Sequence, residues 1–302
     1  MSTSRPTELP AVSRGHSPEA VRGLAATLAL ALVVRFLTVL WLGNWRAPEA
    51  WEYGRLADAL LQGRGWSFAQ PFGGVHQWWM PPVYPLLLAG LGWLLGAYRY
   101  LALELLQAVL SAATVALLRL LGRRLLGGPA AWAALVLAAV YPPLTVKVAY
   151  VDPVTLEAFL LVLGVLLVVR TVDAGGLVSG DAVRPPAPAP TPGGAIRSAA
   201  AAGVVLGLGV LTRPVYLACV AGLVGAWLLF HPGHRAAAGL MLACVLLTVL
   251  PWTLRNWRVH GQPVLVSTNG GFNFWIGNNP LATGDAYAPD GEPLWTKMPG
   301  PL

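Results

Sequence analysis

The sequence predicts an all-α polytopic membrane protein of about seven transmembrane helices, with an amphipathic helical first outer loop. Three observations predict it. Of the 302 residues 56% are apolar and only 11% charged, far below the roughly one quarter charged that soluble domains carry. The apolar residues fall in runs close to the ~20 residues that cross a bilayer as a helix. The basic residues cluster beside those runs, as topology determinants do. The formal charge of +7 therefore reads as orientation rather than as a phosphate-binding face, and no nucleic-acid partner is expected.

The first run, 21–44, is too long for a signal-peptide core and lacks a small-residue cleavage site, so it reads as a retained anchor after a cytoplasmic tail, 1–20. An outer loop, 45–99, follows. Within it, 80–97 is apolar but opens on "WWMPPVYP", and Pro81, Pro82 and Pro85 make a poor start for a span. A re-entrant or interfacial helix is expected there. If 80–97 crossed, there would be eight spans and the Arg119/Arg123/Arg124 cluster would fall opposite the Arg-rich N-terminus.

The remaining spans are 100–121, 129–146, 153–172, 197–212, 214–231 and 235–252, with Pro129, Pro153, Pro214 and Pro251 at their ends. On this count Arg119, Arg123, Arg124, Arg170, Arg184, Arg197, His234 and Arg235 share the N-terminal side, the cytoplasm by the positive-inside rule. The loop 173–196 contains "SGDAVRPPAPAPTPGG", a flexible or polyproline-like cytoplasmic linker. Residues 253–302 form an extracytoplasmic Asn/Gly-rich segment, and 21–252 the membrane module. Cys219 and Cys244 fall inside spans, and neither a disulfide framework nor metal-ligand spacing is present.

Chemistry is therefore sought on the outer side. Read as a helix, 49–62 puts Glu49, Tyr53, Leu56 and Leu60 on one face, with Glu52 and Arg55 to the side at ion-pair spacing. Glu49 is then the acid turned toward a partly desolvated site, where burial would raise its pKa toward that of a general base. The competing reading is a carboxylate that favours a helix N-terminus.

Asp152 lies before Pro153 at the mouth of a span, with Glu157 one turn deeper. An acid in a span is a functional candidate, unless a partner such as Lys147 or Arg213 neutralises it. Arg35, inside the first span, is expected to snorkel, to pair with a buried acid or to line a cavity. Arg213, Arg255 and Arg258 sit at outer ends of spans, against the topological trend, and arginine forks bind phosphate. Plain interfacial anchoring competes with that role. Asn269, Asn273, Asn278 and Asn279, among Gly270, Gly271 and Gly277, suit a hydroxyl-binding loop as well as ordinary turns. Tyr53 and Tyr84 join them as sugar- or acceptor-binding candidates, and Trp78 and Trp79 as contacts for a prenyl chain or sugar.

Four stretches resemble the GT-C superfamily of glycosyltransferases, in the bacterial branch related to protein O-mannosyltransferases and lipid A aminoarabinose transferases. They are the acid and Tyr before "LADALLQGRGWS", then "PPVYPLLLAGL", then "YPPLTVKVAYVDPVTLEAF", and, most specific, "PWTLRNWRVHGQPVLVSTNGGFNFWIGNNPLATG". The likeness covers most of 21–290. It implies a seven-span module in the bacterial cytoplasmic membrane with an outward cavity. There a sugar passes, usually with inversion, from a polyprenyl-phosphate carrier to a lipid, glycan or protein acceptor. The family's first-loop catalytic acid corresponds to Glu49, with Glu52 the alternate; many relatives have Asp or an Asp-Glu pair here, whereas Pro48 precedes Glu49. Its second-loop acid maps to Asp152 or Glu157, and Arg213 and Arg255 match positions near the carrier phosphate. No organic cofactor is implied, and a divalent metal ion is left open. Family members commonly continue through further spans, whereas this sequence stops at "KMPGPL", which implies a truncated or minimal version.

A second class of function is a lipid-linked sugar flippase or a glycolipid-binding subunit. A transporter should show paired repeats with broken helices at mid-membrane. The sequence has no convincing internal repeat, and its acids gather toward one face.

Overall fold

The computed structural model describes residues 18–69, 75–76, 80–173, 192–230, 233, 235–284 and 287–297. Most of the N-terminal tail, Trp78, Trp79, His234, Arg184 and nearly all of the Pro-rich linker lie outside the described residues. The elements are helical, save a two-residue antiparallel ladder of β1 (Phe68–Ala69) with β2 (Val75–His76) and one bridge between Tyr287 and Pro293. The helices are α1 (Pro18–Leu42), α2 (Trp51–Leu61), α3 (Val83–Leu95), α4 (Arg99–Leu125), α5 (Gly128–Val140), α6 (Pro142–Val146), α7 (Val154–Asp173), α8 (Pro192–Thr212), α9 (Tyr216–Phe230), α10 (Arg235–His260) and α11 (Asn269–Gly277).

Five helical runs, starting at Val21, Val83, Val154, Gly193 and Arg235, are long and apolar enough to cross a membrane. The pair α5–α6, bent by 52°, is a broken span or a re-entrant loop, and the first would make it a sixth. α9 has 15 residues, short of the ~20 that cross unaided, yet it runs between the same two ends of the bundle. Tyr216 at its head donates to the Glu157 carbonyl, while Trp227 and Phe230 share a groove with Leu125 and Val172.

The run from Val83 to Leu125 is a hairpin. The Tyr84 hydroxyl donates to Gln107 Oε1 at 3.0 Å, although 23 residues of continuous helix would hold them roughly 35 Å apart. The chain reverses at Gly96, whose φ of 57° lies where only glycine rests without strain. α3, with 13 residues, is only ~20 Å long and too short to be a span of its own. It lies beside the first half of α4. Leu56, Ala57 and Ala59 of α2, all fully buried, complete this subdomain.

Prolines shape two other spans. Pro251 was expected to end the last span but lies inside α10, which continues to His260. Membrane helices tolerate such a proline where neighbours satisfy the freed groups. At Pro142 and Pro143 the break is real. Tyr141, held extended (φ −63°, ψ 116°), obeys the restriction on a residue before proline.

In an α-helix the carbonyls of Ala138 and Ala139 would accept from the N–H groups of 142 and 143, and proline has none. Arg35 supplies the donors, Nη2 to Ala138 at 3.2 Å and Nη1 to Ala139 at 3.0 Å. Its Nε donates to Ser111 Oγ (2.7 Å), which donates onward to the Leu144 carbonyl (2.6 Å). Arg35 thus neither snorkels nor pairs with an acid. It is fully buried, and it caps a broken helix at the end where the dipole favours a cation.

The second half of the bundle is α7, α8, α9 and α10 around one apolar core that includes Leu206, Val210, Tyr216, Met241 and Val245. Gly203 and Gly207 of α8 form a G-x-x-x-G stripe. A Cβ at the first would meet the Met241 carbonyl, and at the second Thr248, so glycine is what lets α8 and α10 approach so closely.

Candidate functional site

Contacts between distant loops gather the chemistry at one end of the bundle. Asn44 donates to the Ala149 carbonyl (2.9 Å), Arg213 meets Glu157, and Trp66 stacks edge-on against Trp252 at 4.7 Å. This loop face is opposite the ends of α4 and α7 that carry Arg123, Arg124 and Arg170.

The helix expected over 49–62 is α2, and it begins at Trp51. Glu49 therefore lies outside the helix and is exposed, so the burial expected for it from helix periodicity is absent. Ala50 is the N-cap of this helix, and Pro48 and Glu49 precede it. Glu49 instead lines a cleft of about 310 Å³ with Asn44, Ala47, Pro48 and Ala149–Val151. The loop after α1 and the loop before α7 meet in this cleft. Glu52 lies in the first turn of α2 and is half-buried. Among the described ion pairs, Glu52 and Arg55 form none.

Tyr53, Leu56 and Leu60 do share the inward face. The Tyr53 ring meets that of Tyr84 edge-on, with centroids 5.2 Å apart and planes at 76°. Burial pushes the Tyr53 phenol up to about 12, Arg213 opposes the shift, and Glu52, Asp152 and Glu157 reinforce it. The Tyr53 hydroxyl thus lies within the electrostatic reach of one cation and three acids from four parts of the chain. Beneath it Tyr84 is fully buried and bonded to Gln107, whose Nε2 donates to the carbonyls of Val148 and Tyr150, both at 2.9 Å.

Both second-loop acids have cationic partners. Asp152 pairs with Lys147 at 2.7 Å, and its other oxygen accepts from the Val154 N–H at the head of α7 (3.0 Å). Glu157 pairs with Arg213 at 3.1 Å. Of the two partners expected for Glu157, Arg213 is therefore the one observed.

Arg255 lies over the Trp252 ring at 4.9 Å and donates to Asn256 Oδ1 at 3.0 Å. Arg258 is exposed. Three polar side chains in "PWTLRNWRVHG" hold the returning chain. Trp252 Nε1 donates to the Val266 carbonyl, Thr253 to Leu265, and the fully buried Asn256 to Val264 and Val266.

The asparagines divide in the same way. Asn278 donates to the Phe274 carbonyl, and Asn279 to those of Trp275 and Ile276, so both amides cap the C-terminal end of α11. Asn273 is exposed. Asn269 approaches the first loop, with its Nδ2 3.9 Å from Met80 Sδ.

One acid escaped the sequence reading. Glu104, in "YLALELLQ" of α4, is fully buried, and neither carboxylate oxygen has a hydrogen-bond partner. Its signal was present, since an ionisable residue in a span is rare and costly. Among the described residues no group of three or more His, Cys, Asp or Glu could hold a metal ion.

Comparison with known proteins returns no match among family models, curated sequences or solved structures. The likeness to GT-C enzymes rests on the quoted motifs.

Proposed function

We propose that the protein is an integral membrane glycosyltransferase. It moves a sugar from a polyprenyl-phosphate carrier to a lipid, glycan or protein acceptor on the outer face of the cytoplasmic membrane. The observation that best supports this is the meeting, at one end of an apolar bundle, of Glu52 with Tyr53, the second-loop acids and Arg213. A lipid-tethered anion would enter along the helices and present its phosphate there.

In this reading the guanidinium of Arg213, together with that of Arg255, binds the carrier phosphate. An acceptor hydroxyl oxygen attacks the anomeric carbon from the face opposite the phosphate. The new carbon–oxygen bond forms as the bond to the phosphate oxygen breaks. The phosphate leaves with the electron pair, and arginine stabilises its growing charge, an electrostatic contribution of the kind that often dominates catalysis. Glu49, open to the cleft, takes the acceptor's proton, and Glu52 is the alternate base.

The test is product analysis. Purified protein in vesicles receives a polyprenyl-phosphate sugar with a radiolabelled saccharide. Transfer predicts label on a new acceptor and free polyprenyl phosphate. Label that changes leaflet but stays on the carrier would make the protein a flippase and overturn the proposal.

A further inference from the structure

Arg213 already holds an anion of the protein's own. Its Nη1 lies 3.1 Å from Glu157 Oε2, with the Arg213 side chain 48% exposed and that of Glu157 18% exposed. The backbone at both ends of this contact is pinned. The Arg213 N–H donates to the Gly209 carbonyl at 2.8 Å, its carbonyl accepts from Tyr216 at 3.1 Å, and the Tyr216 hydroxyl donates to the backbone oxygen of Glu157. Only the two side chains are left to exchange partners.

The contact is single-pronged, one nitrogen on one oxygen, whereas a phosphate can engage the planar fork with two oxygens and greater charge. We propose that Glu157 is an internal competitor for the phosphate subsite. It neutralises Arg213 in the empty protein and is displaced only by a ligand with a phosphate-like anion. Glu157 is then a specificity-determining residue that sets how tightly a phosphate-like anion binds at Arg213. This rests on the reading of Arg213 as the carrier-phosphate ligand.

The pair is partly exposed, and such pairs are worth little. Removing the competitor should therefore tighten phosphate binding by about two- to fivefold rather than by orders of magnitude. Glu157→Gln suits the test, because Tyr216 bonds to the backbone of Glu157 and that anchor survives. Asp152→Asn is the control. It removes a nearby charge that does not touch Arg213, and asparagine keeps an acceptor for the Val154 N–H.

Binding of geranylgeranyl monophosphate, geranylgeraniol and inorganic phosphate to the purified full chain would be measured by native mass spectrometry and calorimetry. The expected result is that Glu157→Gln binds the monophosphate two- to fivefold tighter and leaves the alcohol unchanged, while Asp152→Asn has a smaller effect. If Glu157→Gln binds no tighter, or Asp152→Asn gains as much, the competitor role is overturned while the carrier site stands. If Arg213→Gln keeps the preference for monophosphate over alcohol, or inorganic phosphate binds as tightly as the prenyl monophosphate, the underlying reading of Arg213 is overturned as well.

Discussion

Arg35 gives the carbonyl of Ala139 the hydrogen bond that Pro143 cannot, with Nη1 3.0 Å from the oxygen. The guanidinium belongs to α1 and the broken helix to α5–α6, so one side chain both caps the break and ties the first span to the third.

Replacing Arg35 with methionine keeps the apolar stem but leaves two buried carbonyls without donors. At ~1–3 kcal/mol for each orphaned group, the loss should be on the order of 2–6 kcal/mol, read as thermal unfolding in detergent. In a Pro142→Ala, Pro143→Ala background the same change should cost less, because helical N–H groups are restored. Equal losses in both backgrounds would separate Arg35 from the prolines.

Gln107 joins three elements, accepting from Tyr84 and donating to Val148 and Tyr150. Gln107→Leu should destabilise by about 2–4 kcal/mol and raise amide exchange over 147–152, whereas Tyr84→Phe, which strands one acceptor, should cost about 1–2 kcal/mol. A Tyr84→Phe variant less stable than Gln107→Leu would contradict this ordering.

Tyr53 sets a pH limit. Burial raises its ionisation to about 12, so the folded state favours the neutral phenol. That preference is fully present below the ~10 of an unfolded tyrosine and is lost as pH rises toward 12. Difference absorbance between parent and Tyr53→Phe should show one phenol ionising near 12. A difference transition near the ordinary ~10 of an exposed tyrosine would contradict the burial.

How much of this was legible in the sequence depends on what each residue's signal measured. Apolar runs report burial in lipid, and they located the helices. Hydropathy alone does not register the reversal at Gly96, but Pro81, Pro82, Pro85 and the distribution of basic residues set 80–97 apart from the span at 100–121. Pro251 was misread because a proline's cost depends on its neighbours. Periodicity found the inward face of Tyr53, Leu56 and Leu60 but extended the helix to Glu49, two residues beyond its start. Asn278 and Asn279 looked like hydroxyl ligands, yet helix capping uses the same amides. The pairing of Glu157 with Arg213 was among the partners foreseen. The isolation of Glu104 was not, because its apolar neighbours in "YLALELLQ" do not tell whether a buried acid finds a partner on another helix.

The orientation of the loop face is open to direct labelling. In a Cys219→Ala, Cys244→Ala background, Glu49→Cys should react with a membrane-impermeant maleimide added to whole cells, since position 49 is exposed beside the cleft. Reaction solely from the cytoplasmic side would invert the topology and remove the active face from the outside.

The most direct test of the whole account is the rate of sugar transfer by Glu49→Gln. With labelled polyprenyl-phosphate sugar, the variant should lose ~100-fold or more of the parent rate, the scale of a lost general base, while still binding carrier and melting like the parent. Transfer at the parent rate would contradict the account, leaving Glu52 as the base if Glu52→Gln fails, and no first-loop acid in the reaction if both variants work.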